Sequence, residues 1–416
     1  MSINTTGEVV PGGWDRRILK QCLEKLKSGK YVERGWSPQC LSHPAENTWG
    51  VLKTTSVQMG EYLPEYNKEL PKTLEPKVGL EVNDGDFLVT TTGPRNRCGV
   101  VCHVKTTPKK LIFSGKILRF RADENQVLAS WVMYLLMSPS YQKVLDQLKV
   151  GTSDSSVSIG NQQILDLEIP VASIDEQKKI VEILDEQLSR LDAALASVRA
   201  VREKSARFRR SLLHAAFTGV LTAIDAENSN TDVRVSVFED LFDLVSNERR
   251  QVKQRDYKSS GRFPVVDQGE EIVGGFIDDG DLLFDGALPV IVFGDHTRRL
   301  KFIDFPFVVG ADGTKLIQCK EAVLPRYGFY HLEAAEFRNR GYARHFAELK
   351  KVMFWLPSIR HQEKIIEMLE EQFSRLEASL AVADAIEKEA SALRRSLLHA
   401  AFNGNLTKEW REGAHV

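Results

Sequence analysis

Polar and basic side chains collect in loop-like segments that follow short apolar runs. Residues 90–97 read Thr-Thr-Thr-Gly-Pro-Arg-Asn-Arg. Arginine can bond guanine, and asparagine adenine, through paired hydrogen bonds, whereas lysine suits backbone phosphates. The chemistry that this segment favours is therefore contact with duplex nucleic acid. The candidate residues in the N-terminal part of the chain are Lys53, Thr54, Thr92, Arg95, Asn96, Arg97 and Lys105.

A second group of the same residue types lies in the C-terminal half. Residues 294–299 follow an apolar run, and residues 338–345 are rich in arginine. Charge runs are usually solvated surface, so these residues carry more weight as groups than singly. The candidates here are His296, Thr297, Arg298, Arg299, Arg340, Tyr342 and Arg344.

Signals for catalysis or metal binding are weak. Asp295 and His296 suit acid–base chemistry or a ligand role, but no nucleophile or second ligand stands at a recognisable spacing. Cys98 and Cys102 lack a second Cys/His pair at zinc-site spacing. Residues 310–315 are too short for a phosphate-binding Gly-x-x-x-x-Gly-Lys-Ser/Thr loop. We expect no catalytic residue, no metal and no cofactor bound by this chain.

Length and composition set the broad class. A chain of 416 residues is long enough for two or more domains. The net charge of -1 does not exclude nucleic acid, because local charge decides that affinity. Five scattered cysteines suit a reducing compartment. No run approaches the roughly 20 apolar residues of a membrane span, and the start lacks a secretory pattern. We expect a cytoplasmic protein.

A long internal repeat organises the chain. Residues 173–191 reappear as 358–376, and residues 209–222 reappear as 394–407, both at a constant offset of 185. Because no gap separates the two blocks, one element with one geometry occurs twice.

Each copy has the signals of one long helix. Ser173 and Glu176 form a capping-box pattern after a proline, and Gly219 and Gly404 stand where a left-handed C-terminal residue is expected. His361 replaces the capping-box glutamate in the second copy, so its N-terminus should be capped more weakly. A helix of roughly 45 residues is about 67 Å long.

Apolar residues at alternating spacings of four and three predict that the two helices pair as a coiled coil. Two surface helices, each packed on its own domain, are the alternative, and the gapless identity favours pairing. The predicted pairing residues are Leu184, Leu188, Leu191, Leu195, Leu369, Phe373, Leu376 and Leu380.

The rest of the chain forms two related modules, residues 1–160 and 225–352, which mix short β-type runs with turn residues. Residues 84–88 (Asp-Gly-Asp-Phe-Leu) correspond to residues 279–283 (Asp-Gly-Asp-Leu-Leu). Each motif is predicted to open a strand, at residues 88–92 in the first module and at Leu282-Leu283-Phe284 in the second.

A helical stretch closes each module, from residue 128 to about 148 and from about 327 to 349. Residues 161–224 and 353–416 then hold the long helices. The predicted fold is mixed α/β (α+β): two globular recognition domains separated by two long antiparallel coiled-coil helices with pseudo-two-fold symmetry. Such modules suit one extended ligand with two sites, and duplex DNA is the obvious one.

The repeated helix, Gln177 and Gln362, the Asp-Gly-Asp motif and residues 49–53 (Trp-Gly-Val-Leu-Lys) resemble the specificity subunits of Type I restriction-modification systems. The resemblance covers nearly the whole chain. It implies that each module reads one half of a bipartite double-stranded DNA site and that the helices set the spacing.

The resemblance also implies partners. Two modification subunits would bring S-adenosylmethionine and methylate adenine, and separate restriction subunits would bring ATP, Mg²⁺ and the nuclease. Two other classes stay open at this point. A methyltransferase or nuclease is disfavoured by the absence of an Asn/Asp-Pro-Pro-aromatic motif, and a coiled-coil scaffold is disfavoured only by the basic loops and the resemblance.

Overall fold

The computed structural model of the protein describes residues 11–218, 234–246, 251–310, 313–335 and 344–413. The chain divides into two compact units. The first unit is Met1–Ser197 with Ile386–Val416, and the second is Val198–Ala385. Each unit combines short strands, short helices and part of both long helices, which confirms the predicted mixed α/β class.

The first unit is built mainly from short strands. Its helices are α1 (Ala129–Met137), α2 (Pro139–Gln147) and α3 (Asn161–Leu165). Its strands are β1 (Asp15–Ile18), β2 (Glu33–Arg34), β3 (Gly50–Leu52), β4 (Val57–Gln58), β5 (Glu61–Tyr62), β6 (Asn67–Glu69), β7 (Phe87–Thr90), β8 (Thr92–Gly93), β9 (Val101–His103), β10 (Leu111–Phe113), β11 (Ile117–Phe120), β12 (Val150–Ser153), β13 (Ser156–Ser158) and β14 (Glu168–Val171).

Two small sheets form the frame of the first unit. One has the strand order β2-β11-β7-β9 and is antiparallel throughout. The other has the order β10-β3-β6, in which β10 and β3 run parallel. Phe87 and Phe120 from the first sheet stack with ring centroids 4.9 Å apart. They belong to one buried cluster with Trp131 of α1, which ties the sheet to that helix.

The second unit repeats the plan. The short helices α5 (Phe238–Leu241), α6 (Pro325–Ala334) and α7 (Phe346–Leu349) belong to it. Its strands are β15 (Arg234–Ser236), β16 (Phe242–Val245), β17 (Phe263–Val266), β18 (Gly275–Ile277), β19 (Val290–Gly294), β20 (Leu300–Ile303), β21 (Val308–Val309), β22 (Thr314–Cys319) and β23 (Phe354–Leu356).

The sheets of the second unit have the topology of those in the first. The order β16-β22-β19-β20 matches β2-β11-β7-β9, and β21-β17-β18 matches β10-β3-β6 with its parallel pair. By this correspondence β7 is equivalent to β19. Both are fully buried strands, and the predicted relation between the modules therefore holds for the sheets.

One predicted strand is wrong. Gly280–Leu282 forms a single 3₁₀ turn, and Leu283 makes only an isolated bridge to Val308. Phe87 of the first motif opens β7, whereas the strand equivalent to β7 starts only at Val290, so residues 279–283 are not the structural counterpart of residues 84–88. The sequence match at residues 279–283 had the wrong register because a three-residue Asp-Gly motif recurs easily in turns.

The two long helices are α4 (Ile174–Phe217) and α8 (Ile359–Phe402), each 44 residues long. They are rich in alanine, leucine, glutamate and arginine, which favour helix. The exposed pair Glu186–Arg190 recurs as Glu371–Arg375, each with a 2.6 Å contact four residues apart. At about 1.5 Å per residue each helix is roughly 66 Å long, as predicted.

The helices pair antiparallel within each unit. In the first unit, Leu184 and Leu188 share a buried cluster with Leu398 and Phe402, and further along α4 the carboxylate of Asp192 accepts from Arg394. Since later residues of α4 meet earlier residues of α8, the two helices run in opposite directions.

The second unit shows the same relation. Arg202 contacts Asp384 at 2.6 Å, and further along α4 Phe217 shares a cluster with Leu369 and Phe373. Leu191, Leu195, Leu376 and Leu380 are half-buried. The seam is thus buried most deeply where the helices also pack on the globular part of a unit.

A repeated glutamine fixes each long helix to a short helix earlier in the same unit, α1 for α4 and α6 for α8. Gln177 accepts from the backbone N–H of Leu128 at 2.9 Å and donates to the carbonyl of Ala172 at 2.9 Å. Gln362 accepts from the N–H of Leu324 at 2.8 Å and donates to the carbonyl of Pro357 at 3.0 Å. Leu128 and Leu324 are the N-cap residues of α1 and α6. Both amides are fully buried, so each satisfies backbone groups that would otherwise lose a partner.

The predicted capping box at α4 is only half made. The N–H of Glu176 donates to Ser173 Oγ at 3.2 Å, but the buried Glu176 carboxylate accepts from Trp14 (2.9 Å), Thr407 (2.7 Å) and Arg411 (2.5 Å) instead. The pattern failed because Glu176 serves as a tertiary contact to the segment after α8. At α8, Ser358 Oγ pairs with His361 Nδ1 at 2.8 Å.

The helix ends follow the sequence signals where they are described. Gly404, just past α8, has a left-handed φ of 77° and precedes the short helix α9 (Lys408–Gly413). Gly219 lies outside the described residues. The predicted stretch 128–148 is α1 and α2, and within 327–349 the described residues form most of α6 and all of α7.

Candidate nucleic-acid interface

The structure brings several candidate residues of the first unit into one place, which we call the first loop cluster (residues 53–58, 92–97 and 146–156). Strand β8 pairs with β13, with Thr92 opposite Ser158. The N–H of Arg95 donates to the carbonyl of Asp154 at 2.8 Å, and the Arg95–Arg97 turn thereby packs against the β12–β13 hairpin. The cluster is therefore a set of strand ends and turns held by backbone hydrogen bonds.

Arg95 is partly exposed, with 40% of its side chain accessible, and it is paired. Its Nε contacts Asp154 Oδ1 at 2.9 Å, and its Nη1 contacts Asp146 Oδ2 at 2.9 Å. These hydrogen bonds raise the pKa of the Arg95 guanidinium above its ordinary value. Asp146 also accepts from Lys149 at 2.8 Å, and that bond is the main cause of the lowered pKa of Asp146. Arg95 thus lies at the surface between two carboxylates.

Arg97 has a different environment. Its guanidinium donates to the carbonyls of Thr54 (2.8 Å) and Val57 (2.9 Å) and to the side chain of Gln58 (2.9 Å). These three bonds join the turn after β3 to the turn after β8. In this arrangement Arg97 positions the cluster, and its donors are directed at protein rather than at solvent.

The other candidates of the first unit differ in exposure. Asn96 is exposed, whereas Lys53, Thr54 and Thr92 are half-buried. Lys105 is exposed but follows His103, which pairs with the first residue of β7. Because the loop cluster follows the last residue of β7, Lys105 lies at the opposite end of that sheet.

The structure also joins residues 294–299 of the second unit to residues 344–345, the described end of the other candidate segment, forming the second loop cluster (residues 267–271, 294–299 and 344–345). The turn between β19 and β20 places Asp295 against α7, where its carboxylate accepts from the N–H groups of His345 and Phe346, each at 2.8 Å. Asp295 is buried and caps this helix, so it has a structural partner rather than a free carboxylate.

The neighbouring loop closes the same cluster. Thr297 donates to the carbonyl of Gln268 at 2.7 Å, and His296 is half-buried with its N–H 3.3 Å from the Gln268 side chain. Arg299 is exposed and contacts Glu270 at 2.6 Å. The turn between two strands is thus held by an adjacent loop, as in the first unit.

Arg298 and Arg344 are the remaining described candidates of this cluster, and both are exposed. Arg298 has a left-handed φ of 58° at the tip of the turn. Arg340 and Tyr342 lie outside the described residues.

Sequence reasoning did not identify the acidic partners Asp146, Asp154 and Glu270. Asp154 lies in a serine-rich hairpin, in which the hydroxyl groups are the more obvious candidates for ligand contacts. An acidic residue in a basic loop was the available signal, but only the fold shows which arginine it meets.

Exposed apolar residues recur at equivalent positions of the long helices. On α4, Val201 and Phe208 are 40% and 47% exposed. On α8, Ile386 and Leu393 are 40% and 48% exposed and stand at the same offset of 185. Residues seven apart lie on one face of a helix, so each helix presents a matching apolar pair.

Within the described ranges, no group of three or more His, Cys, Asp or Glu side chains is placed to hold a metal ion. No helix in the same ranges is both long and apolar enough to span a bilayer.

Comparisons with known proteins agree with this arrangement. The family model for the Type I restriction modification DNA specificity domain matches residues 54–196. The Type I restriction enzyme EcoEI specificity subunit of Escherichia coli is 34% identical over 194 residues, which cover 44% of this chain and about a third (32%) of that relative. The EcoKI specificity subunit of Escherichia coli strain K12 is 26% identical over 97% of this chain and 91% of its own length.

A solved structure on complex assembly and conformational transition of the type I R-M system contains a chain of the same fold. It matches with a TM-score of 0.60 at 15% identity, covering 95% of this chain and 98% of that chain. The match to the EcoKI specificity subunit runs through both loop clusters and both long helices, and the chain is similar over almost its whole length to the specificity subunits of Type I restriction-modification systems.

Proposed function

We propose that this chain reads the DNA sequence for a Type I restriction-modification complex. The observation that carries the proposal is the presence, in each of two units with the same sheet topology, of a loop cluster with a partly exposed arginine side chain, 40% exposed in Arg95 and 50% exposed in Arg299. Members of this family are non-catalytic within their complex, so the chain selects the site at which partner subunits act.

Each cluster has groups suited to base edges. Arg95 and Asn96 in the first cluster, and Arg298 and Arg299 in the second, are side chains that can pair with guanine or adenine in the major groove. Lysines such as Lys53 in the first cluster suit phosphates, which position the protein without carrying sequence information. In this proposal residues 1–160 and 225–352 are recognition domains, each reading one half of a bipartite site.

The long helices, within residues 161–224 and 353–416, set the spacing between the half-sites and bind two modification subunits. The apolar pairs at equivalent positions of α4 and α8 support two equivalent docking sites. S-adenosylmethionine would be bound by the modification subunits, and ATP and Mg²⁺ by the restriction subunits. The complex would work in the cytoplasm, where the DNA is.

A map of methylated adenines tests the proposal. Cells that contain the modification subunit are compared with and without this gene, and with the gene restored on a plasmid. We expect one bipartite motif to lose methylation on deletion and to regain it on restoration. An unchanged map in cells whose modification subunit is expressed and active would count against DNA reading and favour the scaffold alternative.

A further inference from the structure

In each loop cluster an arginine side chain that is 40% (Arg95) or 50% (Arg299) exposed contacts an exposed carboxylate. In the first cluster Arg95 lies between Asp146 and Asp154. In the second, Arg299 lies against Glu270. The Asp154 and Glu270 side chains are 85% and 74% exposed, so both negative charges face the solvent beside the candidate reading groups.

These ion pairs are easy to exchange. Exposed pairs between long side chains are weak because water and salt screen them and because two flexible chains must be held together. The arginine is nevertheless restrained near its bound position, so part of its conformational freedom is already lost before any ligand arrives. A better acceptor can therefore take the guanidinium at little cost.

When the arginine moves to DNA, the carboxylate that it leaves stays at the site. This carboxylate determines which DNA groups can compete for the arginine. A DNA backbone approaching the cluster brings phosphates close to Asp154 or Glu270, and like charges repel. A phosphate has to compete for the arginine against a resident carboxylate. A guanine in the right register offers O6 and N7 together, which replaces the lost bonds with a bidentate pair and carries no full charge.

We propose that Asp154 and Glu270 are specificity-determining residues that make DNA of the wrong sequence bind less well, each within its own half-site. The proposal rests on the proposed function, because it takes the loop clusters as the reading surfaces. Asp146 contributes less to this discrimination, since Lys149 already shares its charge.

The test uses the complex of this chain with its modification subunits and the variants Asp154→Asn and Glu270→Gln. Both changes keep the side-chain size and remove one charge. The exposed Glu75→Gln, outside the loop clusters, is the matched charge control. Binding is measured on duplexes that carry the mapped site, the site with the first half scrambled, or the site with the second half scrambled.

We expect Asp154→Asn to raise affinity about five-fold for DNA in which the first-module half is scrambled, while affinity for the mapped site changes less. Glu270→Gln should do the same for the other half only. The slope of log affinity against log salt should also steepen by roughly one unit on the wrong sequence, because one more phosphate is neutralised. Adding Arg95→Ala to Asp154→Asn should abolish the gain.

Several outcomes would overturn the inference. One is an equal gain on the mapped and scrambled sites, another is a gain with Glu75→Gln of the same size, and a third is no change in the salt slope. The proposed function fails separately, if the unmodified complex binds the mapped and fully scrambled duplexes equally well. Asp154→Ala checks that the effect follows loss of charge rather than the new amide.

Discussion

His331 is a buried histidine in the second unit. Its Nε2 accepts from the N–H of Trp355 at 2.9 Å, and its ring lies 4.4 Å from that of Phe217. Burial lowers the pKa of His331 from 6.5 to about 4, since a charged ring would lose its hydration. The equivalent residue in the first unit is Leu135, counted from the N-cap residues Leu128 and Leu324.

His331 should make the second unit less stable as the pH falls. Between about pH 6.5 and pH 4 the unfolded chain binds a proton at this ring and the folded chain does not, so stability drops by up to about 1.4 kcal/mol per pH unit. Thermal unfolding measured from pH 4 to 7.5 should show a flatter dependence for His331→Leu. The exposed His399→Leu is the control, and an unchanged slope in His331→Leu would contradict the assignment.

Two residues of the same type that lie close together in the chain can have different structural roles, and the sequence alone does not distinguish these roles. Arg95 and Arg97 are equally good candidates for base contacts by type and position. The fold gives Arg97 three acceptors in the turn after β3 and gives Arg95 two exposed carboxylates. Those partners come from segments about 40 to 60 residues away in the chain. The sequence pattern therefore predicted the loop as a candidate, but it could not predict the role of each arginine.

At the scale of elements, the duplicated helices were predictable and the sheets were less so. A gapless repeat with apolar spacings of four and three defines a long paired helix without any tertiary information. The strands are only two to six residues long, and the parallel pairing of β3 with β10 joins segments far apart in the chain. In short apolar runs such as residues 282–284, the sequence therefore does not distinguish a strand from a turn.

The apolar pairs on α4 and α8 lead to a prediction about assembly. Phe208→Asp should remove one of two bound modification subunits, and Phe208→Asp with Leu393→Asp should remove both, each at a cost of at least about ten-fold in affinity. Val382→Asp is the control, because Val382 is 60% exposed while its repeat counterpart is Ser197. Light scattering of the purified complex counts the subunits. If the double variant still bound two modification subunits, their docking sites would lie elsewhere on the chain.

At the scale of the whole molecule, two helices of equal length carry one repeated pattern, and each unit contains part of both helices. A coiled coil tolerates insertion of whole heptads, because seven residues return every seam position to the same face. Insertions of other sizes turn the following residues out of the seam. The helices are therefore the part of the chain in which length can change while each loop cluster keeps its own local contacts.

Duplicating residues 191–197 in α4 together with residues 378–384 in α8 should lengthen the gap between half-sites and leave the half-sites themselves unchanged. Each heptad adds about 10 Å of helix. At about 3.4 Å per base pair this corresponds to roughly three additional base pairs. The methylated motif, mapped as before, reports both quantities. Duplication in α4 alone is the control. It shifts α4 by seven residues against α8, so that seam residues no longer face their partners, and it should reduce stability and assembly. If the double insertion altered the bases read, or left the gap unchanged, the helices would not be the element that sets the spacing.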